Sequence, residues 1–488
     1  MTPPAAKNAP PRPGAQTLEE TESKSSKGWK MVRLGEITQI RTGKLDANAQ
    51  RPGGPYPFFT CGEETLEIDH FAFDTEAILL AGNGNFNVKW YHGKFNAYQR
   101  TYVIEPNGVS GKWLFYAVQA ALRTITKGNR GSVIRFLRIG DIVDSTVCVP
   151  PPDEQKQIVA EIEKQFTRLE AGVSALKCVQ ANLKRYRAAV LKAACEGKIV
   201  PTEAELRGKL ETGNLKPEFE SGEELLARIL EERRKNWSGR GKYKEPAAPD
   251  TAILPPLPEG WTWANVEQLS FLDIGFAFKS AEFQKSGIRL LRGDNLEPGK
   301  MRWSDTRYWS ESKLDEFRHL LIREGEIVLA MDRPLISSGL KIARARVDDL
   351  PCLLVQRMAR FRPVVETMTP FLFMAMNTHG FIKHLLGGQT GTQLPHIRGT
   401  GIQSFLIPLP PLAEQSRIVE EVERRLSVVE ELEAVVSANL QRAGRLRQSI
   451  LQKAFSGELA GHDGGHDVSC PSASCPSTRQ ALAGDRNG

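Results

Sequence analysis

The chain has 488 residues, of which 40% are hydrophobic and 25% are charged, and its formal net charge at pH 7 is +7. This length exceeds what one ordinary hydrophobic core supports, so we expect a soluble globular protein with two or more domains. The excess of basic residues favours an anionic partner but does not identify one.

The composition also excludes several other classes of protein. No hydrophobic run approaches the roughly 20 residues of a membrane-spanning helix, and the N-terminal residues lack the hydrophobic segment of a secretory signal. Seven scattered cysteines, an odd number, do not suggest a disulfide framework. These features predict a reduced, cytoplasmic protein. Residues 1–27 and 461–488 are predicted to be disordered extensions, and the GHDGGHD segment of the second one lacks the partner cluster of a metal site.

Residues 28–150 are predicted to form a mixed α+β domain. The segments TEAILLAG and RTYVIEP are typical of strands, and they are followed by the helix-like GKWLFYAVQAALRTIT. The segment AGNGNFN (81–87) lacks the G-x-G-x-x-G spacing of a nucleotide-binding loop and predicts a turn.

Residues 151–197 are predicted to form a long spacer helix. The prolines at 150–152 end the preceding domain, Asp153 is a candidate N-cap, and Gly197 is a candidate C-cap. A continuous helix over residues 154–196 would be roughly 60 Å long. Hydrophobic residues recur at the heptad spacing of a coiled coil: Ile162, Phe166, Leu169, Val173, Leu176, Leu183 and Val190.

Residues 198–258 are predicted to be a central connecting region with one short helix. Ser221 and Glu224 have the spacing of a capping box, and the proline-rich EPAAPDTAILPPLPEG follows. Residues 259–408 are predicted to form a second α+β domain, with the strand-like segments GEIVLAM and LVQRMARFRP followed by the helix-like TPFLFMAMNTHGFIKHLL. Residues 409–460 predict a second spacer helix that ends near Gly457, with the same heptad spacing at Val422, Leu426, Val429, Val436, Leu440, Ala443 and Ile450.

The chain contains an internal repeat. Residues 128–197 align with residues 388–457 without a gap, and 18 of these 70 positions are identical, against roughly four expected by chance. A weaker similarity opens each copy, with GWKMVRLGEI starting at Gly28 and GWTWANVEQL starting at Gly260. The chain is therefore predicted to hold two copies of one module, each with a variable front domain and a helix.

The two helices carry matching hydrophobic stripes, which predicts that they pair with each other. Antiparallel pairing would give a pseudo-two-fold internal repeat and would place the two front domains at opposite ends of a coiled coil. The alternative is that each helix packs only on its own domain. Four polar residues fall on the predicted seam, where they would set the register or contact a partner protein: Gln180, Arg187, Glu433 and Arg447.

The sequence lacks the motifs of the common catalytic sites. No G-x-x-x-x-G-K-[ST] loop and no zinc-ligand spacing is present. His379, His384 and His396 lie near one another in sequence, but no nucleophile motif accompanies them. The chain is therefore predicted not to be an enzyme.

Two windows without acidic residues occupy equivalent positions in the repeats. One lies between Glu105 and Asp141, and the other lies between Glu366 and Glu414. A surface that faces DNA excludes carboxylates, and its glycines let the backbone approach a groove. Arginine suits a guanine edge and glutamine suits an adenine edge. The candidate DNA-binding residues are Lys127, Arg130, Ser132, Arg135 and Arg138 in the first window and Gln389, Thr390, Thr392, Gln393 and Arg398 in the second. An ordinary glycine-containing surface loop is the alternative.

The duplicated proline–Glu–Gln segments, IPLPPLAEQSRIV and VPPPDEQKQIV, together with CEGKIVP and LPEGW, resemble the specificity subunit of type I restriction–modification enzymes. The resemblance covers about residues 28–460. The first copy departs from the family's usual IPLPP, since it has VPPP at this place.

This resemblance implies two target-recognition domains, at 28–150 and 259–408, that read the two halves of a bipartite, asymmetric DNA site. It implies paired helices that act as a spacer, with methyltransferase contacts on the helices and on residues 198–258. The implied partners are double-stranded DNA, two copies of an adenine methyltransferase subunit that uses S-adenosylmethionine, and a motor–nuclease subunit that uses ATP and Mg²⁺; the chain itself would bind no cofactor. A coiled-coil scaffold without sequence-specific DNA binding and a self-sufficient methyltransferase or nuclease are the competing hypotheses.

Overall fold

The computed structural model describes residues 28–128, 135–210, 220–237, 241–387 and 397–458. The chain divides into two compact units. Unit 1 comprises the residues up to Leu176 together with those from Ala438 onward, and unit 2 comprises Lys177–Ser437. Both long helices contribute a segment to each unit. The predicted extensions at 1–27 and 461–488 lie outside the described residues.

Unit 1 is built on a six-stranded sheet. The strands described in the whole unit are β1 (Lys30–Arg33), β2 (Thr38–Thr42), β3 (Tyr56–Phe59), β4 (Leu66–Ile68), β5 (Phe73–Ala81), β6 (Val88–Ala97), β7 (Thr101–Pro106) and β8 (Thr146–Val149). The large sheet has the order β2-β7-β5-β6-β3-β4, and its pairs are antiparallel except β3 with β6. The first strand pairs with β8 in a separate antiparallel ribbon. The described helices of this unit are α1 (Gly111–Ile125), α2 (Ile139–Val143), the first part of the long helix α3 (Pro152–Cys195) and the last part of the second long helix, α11 (Leu412–Phe455).

Unit 2 repeats this plan with more and shorter strands. Its elements in chain order are α4 (Glu203–Leu210), α5 (Gly222–Lys235), β9 (Thr262–Asn265), α6 (Val266–Leu269), β10 (Ser270–Ile274), β11 (Ile288–Leu291), β12 (Leu296–Glu297), β13 (Lys300–Met301), β14 (Tyr308–Trp309), α7 (Leu314–Phe317), β15 (Ile327–Ala330), β16 (Leu335–Ile336), β17 (Gly339–Leu340), β18 (Ile342–Arg344), β19 (Cys352–Leu354), β20 (Met358–Pro363), α8 (Thr369–Ala375), α9 (His379–Leu386), α10 (Gly399–Gln403), β21 (Leu406–Leu409) and α11 (Leu412–Phe455). The main sheet has the order β10-β20-β15-β18, and a three-stranded sheet has the order β14-β11-β19.

The internal repeat predicted from the sequence is present in the structure. The bounds of β21, α10 and α11 equal those of β8, α2 and α3 plus 260 residues. The antiparallel ribbon of β9 with β21 matches that of β1 with β8, and β10-β20-β15 matches β2-β7-β5. The fold is therefore a duplicated α+β module in which each copy ends in a 44-residue helix.

The sequence located the ends of the long helices well, with one error. Gly197 has φ of +67° and Gly457 has φ of +83°, the left-handed conformation of a glycine just past a helix end. After α3, the amide of Lys198 donates to Ala193 O at 2.9 Å, which completes a Schellman turn. The N-cap prediction was wrong: α3 begins at Pro152, so Asp153 lies inside its first turn. Proline is favoured in this first turn because its missing N–H would have no partner there.

The predicted pairing of the two long helices is confirmed within each unit. The hydrophobic core of unit 1 contains Ile162 and Phe166 of α3 together with Ile450 and Leu451 of α11. The core of unit 2 contains Val190, Leu191 and Ala194 of α3 together with Ile418 and Val422 of α11. The helices therefore pack on their own domains and also on each other.

Ion pairs on the seam set the direction of pairing. In unit 1, Arg447 Nη1 lies 3.0 Å from Glu170 Oε1, and the Arg447 guanidinium lies 4.1 Å from the centre of the Phe166 ring. In unit 2, Arg187 lies 3.7 Å from Glu430 and 3.2 Å from Glu433. The residue numbers rise along α3 while they fall along α11, so the helices are antiparallel. Arg187 and Glu430 are also the repeat equivalents of Arg447 and Glu170, as self-complementary packing of two like helices requires.

The described residues of the central connecting region form two helices, where the sequence predicted one. The capping box of α5 is present, since Ser221 Oγ accepts from Glu224 N at 3.2 Å and Glu224 accepts from Ser221 N at 2.7 Å. The additional helix α4 was missed because its short segment has no hydrophobic periodicity. None of the described helices combines the length and the apolar character needed to cross a bilayer.

Candidate nucleic-acid interface

The proline–Glu–Gln segment anchors each long helix to the residue that precedes the first strand of its own domain. In unit 1, Trp29 Nε1 donates to Glu154 Oε2 at 2.7 Å, and Gln155 Nε2 donates to Pro150 O at 3.0 Å. The equivalent residues of unit 2 make the same two bonds, from Trp261 to Glu414 at 3.0 Å and from Gln415 to Pro410 at 2.9 Å. This segment is therefore structural, and it fixes where each helix leaves its domain.

A second duplicated feature brings two arginines of unit 1 together, and we call it the arginine corner. It is formed around Gly82, the residue that follows β5. The amide of Gly82 donates to Arg100 O at 2.8 Å, and its carbonyl accepts from Leu137 N at 2.8 Å. Arg138 follows Leu137 directly and precedes α2. The side chains of Arg100 and Arg138 are both exposed.

The arginine corner of unit 2 is formed by equivalent bonds around Met331, the residue that follows β15. The amide of Met331 donates to Arg357 O at 2.8 Å, and its carbonyl accepts from Ile397 N at 2.9 Å. Arg398 follows Ile397 and precedes α10. The side chains of Arg357 and Arg398 are exposed, as in unit 1. The corner is therefore a property of the repeated module.

The structure describes four of the ten candidate DNA-binding residues. Lys127, Arg135, Arg138 and Arg398 are all exposed. Arg135 lies beside the turn after β5, since its carbonyl accepts from Gly84 N at 2.9 Å. The structure thus brings Arg135 and Arg138 to one loop cluster. The remaining candidates lie outside the described residues: Arg130, Ser132, Gln389, Thr390, Thr392 and Gln393.

The segment at 81–87 is a turn, as predicted. It connects β5 to β6, Gly84 has φ of +71°, and Ala81 N donates to Asn87 O at 3.0 Å. Asn83 also pairs with Phe136 in an isolated bridge, so this turn forms one wall of the arginine corner in unit 1. The turn therefore contributes to the candidate interface through its backbone.

The acid-poor windows of the sequence do not give acid-free surfaces everywhere. Asp332, which lies outside the second window, forms an ion pair with Arg357 in the corner of unit 2. In unit 1, Asp141 Oδ2 accepts from the backbone N–H of Arg138 at 2.8 Å. The windows did not predict these contacts. Asp332 comes from a segment that is distant in sequence, and Asp141 is the residue at which the first window ends.

A duplicated Gln–Arg pair at the corner lies outside both acid-poor windows, so the sequence did not point to it. Gln99 and Arg100 directly precede β7, and Gln356 and Arg357 directly precede β20. The two Gln–Arg pairs are separated by 257 residues, whereas the aligned segments 128–197 and 388–457 are separated by 260. The signal that could have found them is the shared QR in YQRTYV and VQRMAR.

The titratable groups with perturbed pKa values lie in structural networks. Burial raises the pKa of Asp273, but hydrogen bonds from Arg362 and Arg360 outweigh burial and hold that pKa below its usual value. Burial raises the pKa of Glu326 and of Glu414.

His384 Nε2 lies 2.8 Å from the carbonyl oxygen of Gly401, which ties α9 to α10. Within the described part of the chain, no group of three or more His, Cys, Asp or Glu residues is arranged to hold a metal ion.

Comparison with known proteins identifies the family. The model of the type I restriction modification DNA specificity domain matches residues 26–175 and 263–435, once in each repeat. The chain therefore belongs to this family, as the sequence motifs predicted. It is 35% identical over 432 residues to the type I restriction enzyme EcoDI specificity subunit of Escherichia coli, and the match covers 88% of each chain.

Two further matches agree with this assignment. The EcoAI specificity subunit of Escherichia coli is 30% identical over 305 residues, which is 62% of this chain and 49% of that protein. A solved structure described as the basis of complex assembly and conformational transition of the type I R-M system matches with a TM-score of 0.53 and 17% identity. It covers 88% of this chain and 98% of the other, and it supports the fold.

Proposed function

We propose that this chain is the DNA-specificity subunit of a type I restriction–modification complex, where it reads an asymmetric, bipartite duplex sequence with one half-site for each domain. The observation that carries the proposal is the arginine corner, which the same backbone hydrogen bonds build once in each repeat. The loops and sheets around the two corners differ, so the two domains would read different bases on a shared plan.

The long helices would set the distance between the two half-sites. A helix of 44 residues rises about 66 Å at ~1.5 Å per residue, whereas half-sites one turn of B-DNA apart are separated by about 34 Å. Two such helices can therefore overlap along a seam and still serve as a spacer. The seam ion pairs would hold one register and hence one gap length.

The partners of the complex belong to the same proposal. Specificity subunits of this family would act with methyltransferase and restriction subunits. We propose two copies of an adenine methyltransferase that uses S-adenosylmethionine and a motor–nuclease that uses ATP and Mg²⁺, assembled in the cytoplasm. The chain itself would supply recognition and no catalytic group.

An exposed hydrophobic stripe on α11 is where we expect a methyltransferase subunit to dock. Val428, Leu432 and Val435 have side chains that are 50%, 45% and 55% exposed, and their spacing of four and three places them on one face of the helix. Hydrophobic groups aligned along an exposed helix face are typical of a protein–protein contact.

Selection from a library of random duplex DNA tests the proposal. The chain assembled with its methyltransferase should enrich two short conserved blocks separated by a gap of fixed length. A coiled-coil scaffold, the competing hypothesis, would enrich no sequence, with or without the partner. A single continuous block would contradict the reading of one half-site by each domain.

A further inference from the structure

The Gln–Arg pair at each arginine corner is placed by the fold in the same way in both domains. The amide of Gln99 donates to Leu45 O at 2.8 Å, and the amide of Gln356 donates to Phe276 O at 2.7 Å. The following residues, Arg100 and Arg357, accept from the residue after the central strand through their carbonyls. Each pair is therefore held by its backbone on both sides.

A neighbouring loop also contacts the backbone beside each Gln–Arg pair, and the loop can approach this closely only with a glycine at the point of contact. A side chain at Gly43 would place its Cβ 1.9 Å from Ala97 O, and a side chain at Gly275 would place its Cβ 2.2 Å from Val355 O. The amides of these glycines donate to Thr101 O and Met358 O, just past the Gln–Arg pairs. Equivalent loops, at Gly43 in unit 1 and at Gly275 in unit 2, therefore contact the start of the equivalent strands β7 and β20.

The side chains, in contrast, are available to a ligand. All four are exposed. Within the described residues, the side chains of Gln99, Arg100 and Gln356 make no hydrogen bond or ion pair. Arg357 has φ of +63°, a conformation that a residue with a Cβ adopts at a cost and that clusters at functional sites. A rigid backbone that presents exposed polar side chains suits recognition, because little order is lost on binding.

The chemistry of the pair favours base edges over phosphates. A glutamine amide is neutral and gains little from a phosphate, but it can both donate to and accept from adenine in the major groove. Arginine matches the two acceptors of guanine. In unit 2, the carboxylate of Asp332 pairs with Arg357, which would repel a phosphate while it orients the guanidinium.

We infer that Gln99 and Arg100 read bases of one half-site and that Gln356 and Arg357 read bases of the other. The neighbouring Arg138 and Arg398, which carry no such amide partner, then contact phosphates. This inference rests on the proposed function, and it adds residues outside the loops that the acid-poor windows identified.

Sequence selection with single variants of the full chain, assembled with its methyltransferase, tests the inference. Gln99→Ala should lower discrimination at one or two positions of one half-site by roughly 5- to 150-fold, the range for one good base contact. Gln356→Ala should do the same in the other half-site. The matched controls Arg138→Ala and Arg398→Ala should weaken binding equally for all sequences and should reduce the slope of log affinity against log salt by about one.

The outcomes separate this inference from the proposed function. If the unmodified chain selects a gapped sequence and both glutamine variants select it with unchanged discrimination, the inference is wrong and the proposed function stands. If the unmodified chain selects no sequence, the proposed function itself fails. Loss of discrimination in both half-sites from one variant would point to a damaged fold, and thermal unfolding of each variant provides that check. Variants that unfold like the parent chain and still lose both half-sites would also overturn the inference.

Discussion

Trp261 donates its indole N–H to Glu414, with 3.0 Å between Trp261 Nε1 and Glu414 Oε1, and this bond joins the residue before the first strand of the second domain to the first turn of α11. The other carboxylate oxygen of Glu414 accepts from the backbone amide of Glu203 at 3.0 Å. One buried carboxylate therefore holds a strand, a long helix and the central connecting region together. This geometry explains why a Glu–Gln pair follows the prolines in both copies.

Removal of this carboxylate should destabilise the second domain. Glu414→Ala leaves two buried donors without acceptors, and we expect the free energy of unfolding to fall by about 1–3 kcal/mol. Glu154→Ala is the matched control in the first domain, where the carboxylate is only half-buried and, in the part of the chain that the structure describes, accepts from Trp29 alone. Its cost should be about 1 kcal/mol or less. Urea denaturation of both variants measures the difference, and equal costs would contradict the account of Glu414.

The ion pair between the helices in unit 2 should contribute modestly to stability. Arg187→Glu replaces attraction to Glu430 and Glu433 with repulsion, and we expect a loss of about 1 kcal/mol. Glu433→Arg in the same chain should recover part of that loss. Arg185→Glu is the control, because the one hydrogen bond of the Arg185 side chain to a described residue goes to Asn182 of its own helix. A double variant as unstable as the single one would argue against this register.

The candidate DNA-binding residues of each acid-poor window should affect one half-site. Lys127, Arg130 and Arg135 belong to the first domain, and Gln389 and Gln393 belong to the second. Arg398 stays unchanged in this test, because its contact with a phosphate would affect all sequences alike. Substitution of one set with alanine should weaken reading of one half-site only, by roughly 10-fold or more in affinity. Binding to duplexes that differ in one half-site measures this effect. Equal loss at both half-sites would indicate damage to folding or docking.

The exposed stripe of α11 should matter for assembly. Leu432→Glu places a charge at the centre of the stripe, and we expect at least a 10-fold weaker association with the methyltransferase subunit. Glu431→Gln changes the adjacent exposed position and should have little effect. Both variants should unfold like the unmodified chain, since neither side chain is buried. Normal assembly of Leu432→Glu would place the docking surface elsewhere.

The length of the long helices should set the gap in the recognised DNA. Four extra residues add about 6 Å to a helix, which corresponds to about two base pairs at ~3.4 Å each. Insertion of four residues into the middle of α3 should therefore change the gap by one or two base pairs. Sequence selection with the inserted variant measures the new gap, and an unchanged gap would refute the spacer role.

Much of this fold could be predicted from the sequence, because the two copies align without a gap over the long helices. Heptad spacing and terminal glycines are local signals, so the ends of α3 and α11 were predicted to within a few residues. The predicted helix at TPFLFMAMNTHGFIKHLL is instead two helices, since Thr378 caps a new helix by accepting from Phe381 N at 3.3 Å.

The site was harder to predict because it depends on contacts between distant segments. The arginine corner brings Gly82, Arg100 and Leu137 together through backbone hydrogen bonds that leave no spacing pattern in the sequence. The acid-poor windows led to Arg138 and Arg398 but not to Gln99 or Gln356, because those pairs lie where the two repeats have diverged in length. The short QR match in YQRTYV and VQRMAR is the sequence signal for them, and the equivalence of the two folds shows that it is meaningful.

The central claim is that two unlike domains of one chain read two half-sites of DNA. The most direct test is to map methylated adenines across the genome of a cell that carries this chain and its methyltransferase, and to compare it with a cell in which this chain is deleted. The account predicts methylation at one asymmetric sequence of two blocks with a fixed gap, which disappears with the chain. A continuous short motif, or methylation that persists without the chain, would contradict it.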